Sequence, residues 1–223
     1  ILNASPHISS LDIQLDLNQD YSRLFNKLET LEHLHTLKIR INSTEKTYQK
    51  NHECFRSFGE HIAKIKPLKS FMLSLDNIVQ ANILTYTFMD KLSLISQLEQ
   101  FSLKISQCML EYEAFYLLAQ SLTLFSGLKS FKLWVRRSIE MYTTKSYRIA
   151  DVFEAIKSLQ SLQTLHLHLD HFHSDLEDKQ LIILCDSLQS LGKLTNLNIH
   201  WQANKLEDQG IKKFAKTLPS LEN

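Results

Sequence analysis

At 223 residues, with 43% apolar side chains and 25 Lys plus Arg against 24 Asp plus Glu, the chain can bury a sizeable core but carries only +1 net charge, so no overall pull draws it toward nucleic acid or anionic lipid. No window reaches the roughly 18 uninterrupted apolar residues of a membrane span, and no membrane role is expected. Cys54, Cys108 and Cys185 are odd in number and widely spaced, which fits reduced thiols in a cytoplasmic or nuclear protein better than a disulfide framework.

In chain order, Ile8, Leu11, Ile13 and Leu15 open the chain with the period of two that marks a strand with one buried face. Leu31, Leu34, Leu37, Ile39 and Ile41 then introduce a pattern, L-x-x-L-x-x-[LF]-x-[LI]-x-[apolar], that returns along the chain. Aligning its second leucine places Leu34, Leu68, Leu98, Leu128, Leu162, Leu194 and Leu221 in register, with steps of 34, 30, 30, 34, 32 and 27 residues. A fixed motif with variable spacing implies constant strands joined by variable connections. The stretches Phe71 to Leu75 and Phe101 to Ile105 repeat the strand alternation. Between strands, Phe115, Leu118 and Leu122 predict an amphipathic helix over 113–124, and Phe153, Ile156 and Leu159 predict another over 151–162. Seven strands are therefore expected side by side and parallel, since a parallel pair needs a crossover of a dozen or more residues, usually helical. Leu218 to Leu221 begin a further unit that stops before its strand. The second and fifth units are the most irregular, and a loop in either could hold a short extra strand.

These motifs resemble the leucine-rich repeat family, and the full helix per unit resembles its ribonuclease-inhibitor-like class. The resemblance covers nearly the whole chain and implies an α/β solenoid: a curved arc with the parallel sheet on the concave face and helices on the convex face, forming one domain over 1–223 of about seven strand-helix units. The family pattern closes each strand with Asn or Cys. This chain has Asp16, Asn42, Asp76, Ser106, Arg136, Asp170 and Gln202 there, so a buried closing ladder is expected to be mostly absent. Solenoids cover their terminal apolar faces with polar caps, whereas Ile1 begins almost on a strand and Asn223 ends inside a unit, so the chain is expected to be part of a longer protein.

If the strand leucines point to the helices, the residues between them line the opposite face. These are Asp12 and Gln14, Lys38 and Arg40, Met72 and Ser74, Ser102 and Lys104, Lys132 and Trp134, His166 and His168, and Asn198 and His200. Lys38, Arg40, Lys104 and Lys132 face a single acid, and Trp134 is followed by Arg136 and Arg137, an aromatic amid cations of the kind enriched at interface hot spots. The bland reading is a solvated charged face with one incidental tryptophan. Two long connections, 43–52 with Lys46, Tyr48 and Lys50 and 136–148 with Tyr142, Lys145, Tyr147 and Arg148, should rise on one rim of the sheet. His166, His168 and His200 gather on the same face, with Asp170, His171 and His173 close by. His166, His168 and His200 are therefore candidates to share a zinc ion, with Asp170, His171 or His173 from the adjoining loop as further ligands, but such a cluster is more often solvated than metal-bound, and no metal is assigned to it.

Catalysis finds little support. The four glycines, Gly59, Gly127, Gly192 and Gly210, form no phosphate-cradling motif, and His52-Glu53 lacks the second histidine of a zinc-protease signature. The expectation is a noncatalytic protein-interaction module or complex subunit without a cofactor. It would hold an acidic protein partner through Lys38, Arg40, Met72, Lys104, Lys132, Trp134, Arg136, Arg137, His166, His168 and His200. The alternatives are RNA binding through the same cations with Trp134 stacking on a base, and a purely architectural subunit that packs through its helices and ends.

Overall fold

In the computed structural model, residues 7–16, 19–42, 58–78, 88–89, 91–92, 94–95, 97–110, 112–136, 139–140, 149–170, 177–202 and 206–221 are described. The strands are β1 (Ser10–Asp16), β2 (Thr36–Asn42), β3 (Ser70–Asp76), β4 (Gln100–Ser106), β5 (Met109–Leu110), β6 (Ser130–Arg136), β7 (Ile139–Glu140), β8 (Thr164–Asp170) and β9 (Asn196–Gln202). The helices are α1 (Ser22–Leu28), α2 (Phe58–Ala63), α3 (Tyr112–Leu122), α4 (Ile149–Ile156), α5 (Asp178–Leu188) and α6 (Asp208–Thr217), followed by a 3-10 turn over Leu218–Leu221. Seven strands form one open parallel sheet in the order β1-β2-β3-β4-β6-β8-β9. Helices alternate with them, and successive helices pack on one another, α3 on α4, α4 on α5 and α5 on α6. This is the leucine-rich repeat solenoid architecture.

The register is uniform because each unit repeats the same backbone hydrogen bonds. The second leucine donates its N–H to the residue three earlier, as in Leu68 to Ile65 at 3.1 Å and Leu162 to Leu159 at 2.9 Å. One residue later, a single carbonyl accepts two amides from the following unit: His35 from Lys69 and Ser70, Lys69 from Glu99 and Gln100, Lys129 from Gln163 and Thr164. A shift by one residue would turn every leucine to the wrong side, so the apolar pattern and this doubled acceptor enforce the same pairing.

The core lies between sheet and helices. Leu37, Ile39, Leu73, Leu103, Leu133, Leu165 and Leu167 are all buried, as are the aligned second leucines up to Leu194. Through the middle of the sheet the first buried strand position is phenylalanine. Phe71, Phe101 and Phe131 stack across β3, β4 and β6 with ring centroids 6.3 and 6.0 Å apart and planes within 12° of parallel, while Phe25, Phe58 and Phe88 continue the aromatic packing on the helix side. Helices approach closely where glycine permits. A Cβ on Gly210 in α6 would stand 2.6 Å from the Asp178 carboxylate at the start of α5, and that carboxylate accepts the Glu207 N–H at 2.8 Å.

The predicted helix over 113–124 forms as Tyr112–Leu122. The one expected over 151–162 ends at Ile156, because Leu159 and Leu162 serve the consensus turn instead. The short pair β5 and β7 is an addition beside the main sheet; β7 is a short extra strand in the irregular fifth unit, whereas the corresponding part of the second unit lies outside the described residues. After β3 and β4 the chain turns through Asn77 (φ 55°) and Gln107 (φ 53°), each donating its N–H to the closing residue of the next strand, Ser106 and Arg136. Asparagine is among the residues that best tolerate this left-handed conformation.

Candidate functional site on the open sheet face

Strand pairing aligns the residues of the open face into two rows. One runs Asp12, Lys38, Met72, Ser102, Lys132, His166, Asn198; the other runs Gln14, Arg40, Ser74, Lys104, Trp134, His168, His200. Parallel strands in uniform register place such neighbours about 4.8 Å apart. Ten of the predicted contact residues, Lys38, Arg40, Met72, Lys104, Lys132, Trp134, Arg136, His166, His168 and His200, lie on this face, and none is fully buried. Arg137 and the rim loops 43–52 and 141–148, together with His171 and His173, lie outside the described residues.

The charges are less free than composition implies. Arg40 donates to Asp12 at 2.6 Å, so one of the two cations of β2 is matched by the single acid of the strip. No carboxylate pairs with Lys38, Lys104 or Lys132 among the described residues. A second set of ion pairs runs along the lower edge of the sheet, where Glu99 joins Lys69 (3.1 Å) and Lys129 (2.7 Å). The hydrogen bond from Lys129, then that from Lys69, holds the Glu99 carboxyl below the usual range. On the helix side, Glu29 meets His61 and Lys64. Its partial burial pushes its pKa up, but hydrogen bonds from Lys64 and His61 outweigh this and keep it low.

The centre of the face is a column of stacked groups. Trp134 is 40% exposed, the largest exposed aromatic among the described residues. The Lys104 ammonium lies 5.6 Å from its ring centroid on the β4 side. On the β8 side His168 stacks at 3.8 Å between centroids with planes 17° apart, and His200 stacks on His168 at 4.3 Å and 12°. Both flat sides of the indole are thus engaged, and its outer edge is what a partner would meet.

Below the two imidazoles sits Asp170, the last residue of β8, only 5% exposed. Its Oδ2 lies 2.6 Å from His168 Nε2 and its Oδ1 3.0 Å from His200 Nε2. His168, Asp170 and His200 offer donor atoms that all lie within 4.8 Å of one another. His166 stands apart, with Nε2 3.3 Å from Asn196 Oδ1. Sequence reasoning drew His168 and His200 together but treated Asp170 as a neighbour from the adjoining loop. The alternation His166, His168, Asp170 already put the carboxylate on the same face, and its burial makes it the one clear exception to the missing closing ladder.

Cys108 and Cys185 are free and buried. Burial pushes the Cys108 thiol up to about 11, against weaker hydrogen bonding to the backbone, and burial raises Cys185 as well.

No family model matches the chain, and no curated protein matches it. Among solved structures, it matches a chain in one titled "Crystal structure of TLR13-ssRNA13 complex", with 14% identity, 93% of this chain covered and a TM-score of 0.33. It spans 35% of that chain's length. The solenoid assignment rests on the in-register sheet and the repeating hydrogen bonds, and no helix among the described residues is long and apolar enough to cross a membrane.

Proposed function

We propose that this chain is a noncatalytic interaction module that holds a protein partner on the open sheet face, centred on Trp134. The observation that carries this reading is the indole edge exposed at mid-sheet, fixed between Lys104 and His168. A large side chain held rigid before binding loses little conformational entropy when a partner closes over it, and tryptophan ringed by polar groups is the typical hot-spot arrangement. Lys38, Lys104 and Lys132 favour an acidic partner surface and would speed its approach. Met72 adds an apolar, adaptable contact beside them.

RNA binding is the weaker reading for a specific reason. A base stacks on an open aromatic face, and both faces of Trp134 are already occupied. The long units with eleven-residue helices α3 and α5 support the ribonuclease-inhibitor-like class, and the whole chain reads as one repeat domain. Two free, buried thiols support a reducing compartment, cytoplasmic or nuclear.

The test compares wild type with Lys132→Glu/Trp134→Ala/Arg136→Glu as bait in native lysate, identifying protein and nucleic acid in the eluates. A protein retained by wild type and lost by the variant, then rebinding as a purified pair, supports the proposal. Recovery of RNA with a steep loss of affinity in salt would replace it with nucleic-acid binding. Identical partners for both baits would move binding to the helices or ends, an architectural role.

A further inference from the structure

From the geometry of His168, Asp170 and His200 we infer that they form a binding site for one divalent transition-metal ion of the zinc class. Three features converge. The two imidazoles come from adjacent strands in direct register, so the backbone of the sheet fixes their spacing. Both present Nε2 to the same carboxylate, His168 to Oδ2 at 2.6 Å and His200 to Oδ1 at 3.0 Å, so two nitrogens and an oxygen lie within 4.8 Å of one another. Two histidines and one carboxylate, with the remaining position open to solvent, are a donor set that suits zinc and its neighbours.

A buried charge adds to these three. Asp170 is more than nine-tenths buried, and no lysine or arginine pairs with it among the described residues. Its Oδ1 receives no well-aligned hydrogen bond, His200 Nε2 being near but badly angled. A buried carboxylate is costly unless a positive charge or several hydrogen bonds accompany it. A divalent ion held by the two imidazoles would place its charge directly against that carboxylate.

Geometry also dictates how the site would respond. Metal bonds of about 2.0–2.2 Å in a tetrahedron hold donors roughly 3.3 Å apart, slightly wider than the present nitrogen–oxygen contacts. A coordinated metal lies near the plane of each imidazole, whereas these rings are almost parallel at 12°, so they must tilt apart on binding. His168 then shifts against Trp134, whose ring it covers at 3.8 Å, and the indole becomes a reporter. The side chains of His168 and His200 are 21% and 50% exposed, which leaves an ion a route in and water a coordination position.

The experiment uses the whole chain, stripped of metal with a chelator, titrated calorimetrically with zinc chloride and separately with magnesium chloride. One zinc per chain is expected and no magnesium binding, since magnesium prefers oxygen donors. In a Trp201→Phe background, where Trp134 is the sole tryptophan, emission should change with the same saturation point. His200→Ala, at the exposed ligand, and the isosteric Asp170→Asn should each weaken zinc by more than about 100-fold, the upper end of what loss of a ligand's outer hydrogen-bond partner costs. His166→Ala should leave affinity unchanged. Absence of saturable zinc binding in wild type overturns the site. So does binding that survives His200→Ala with Asp170→Asn, or that falls equally with His166→Ala, because either outcome assigns the zinc to stray surface histidines.

Discussion

The two faces of one sheet obey different rules. On the helix side, each position holds nearly the same residue in every unit, Leu37, Phe71, Phe101, Phe131 and Leu165 in one row and Ile39, Leu73, Leu103, Leu133 and Leu167 in another, all buried. On the open side the aligned residues are Arg40, Ser74, Lys104, Trp134, His168 and His200. The buried face has one task, to fill the same cavity shape seven times, and repetition solves it. The open face has no packing constraint to repeat, so its variation can carry recognition. Burial also depends on having a neighbour: Leu165, Leu167 and Leu169 of β8 are sealed, while the equivalent Leu197, Ile199 and Trp201 of β9, at the sheet edge, are only partly covered.

The sharpest way to break this contrast is Phe101→Ala. The ring is stacked between Phe71 and Phe131, and its removal should cost about 3–5 kcal/mol, read as a fall in denaturation midpoint. A smaller loss should follow alkaline pH. The thiol of Cys108 is raised from 9.0 to about 11, so its contribution is intact below pH 9 and drains away as pH climbs through about 11. At about 1.4 kcal/mol per pKa unit this amounts to about 3 kcal/mol, and Cys108→Ala should remove that part of the pH dependence. The same thiol should resist labelling by a disulfide reagent until the protein unfolds. Gly210→Ala forces the Asp178 carboxylate aside and should cost about 1–2 kcal/mol in thermal or urea melts.

On the open face the effects should invert, small in stability and large in binding. Trp134→Ala should change the unfolding free energy by under about 1 kcal/mol yet weaken the partner by about 30-fold or more, measured by calorimetry on the purified pair. Arg40→Ala should be smallest in stability, under about 0.5 kcal/mol, because its pair with Asp12 is half exposed. A Trp134→Ala variant that unfolded as readily as Phe101→Ala would erase the distinction between the faces.

What was legible in the sequence follows the same division. The strands, their parallel order and the pairing of His168 with His200 could be read because period-two alternation fixes register, and register fixes neighbours. The end of α4 could not, since Leu159 and Leu162 satisfy both helical spacing and the consensus turn, and tertiary hydrogen bonds decided for the turn. The β5–β7 pair, two residues on each side, is too short to leave a periodic trace. Two site features also escaped. The burial of Asp170 and the enclosure of Trp134 on both flat sides arise from side-chain conformations across three strands, which no linear pattern encodes.

The uniform register has a metrical consequence. Each open row is a ruler with one mark about every 4.8 Å, running perpendicular to the strands. A partner strand laid along it repeats same-side residues about every 6.7 Å and falls out of step within two or three marks. An α-helix, whose turn rises about 5.4 Å, drifts only about 0.6 Å per mark and stays nearly in phase over three neighbouring marks such as Lys104, Trp134 and His168.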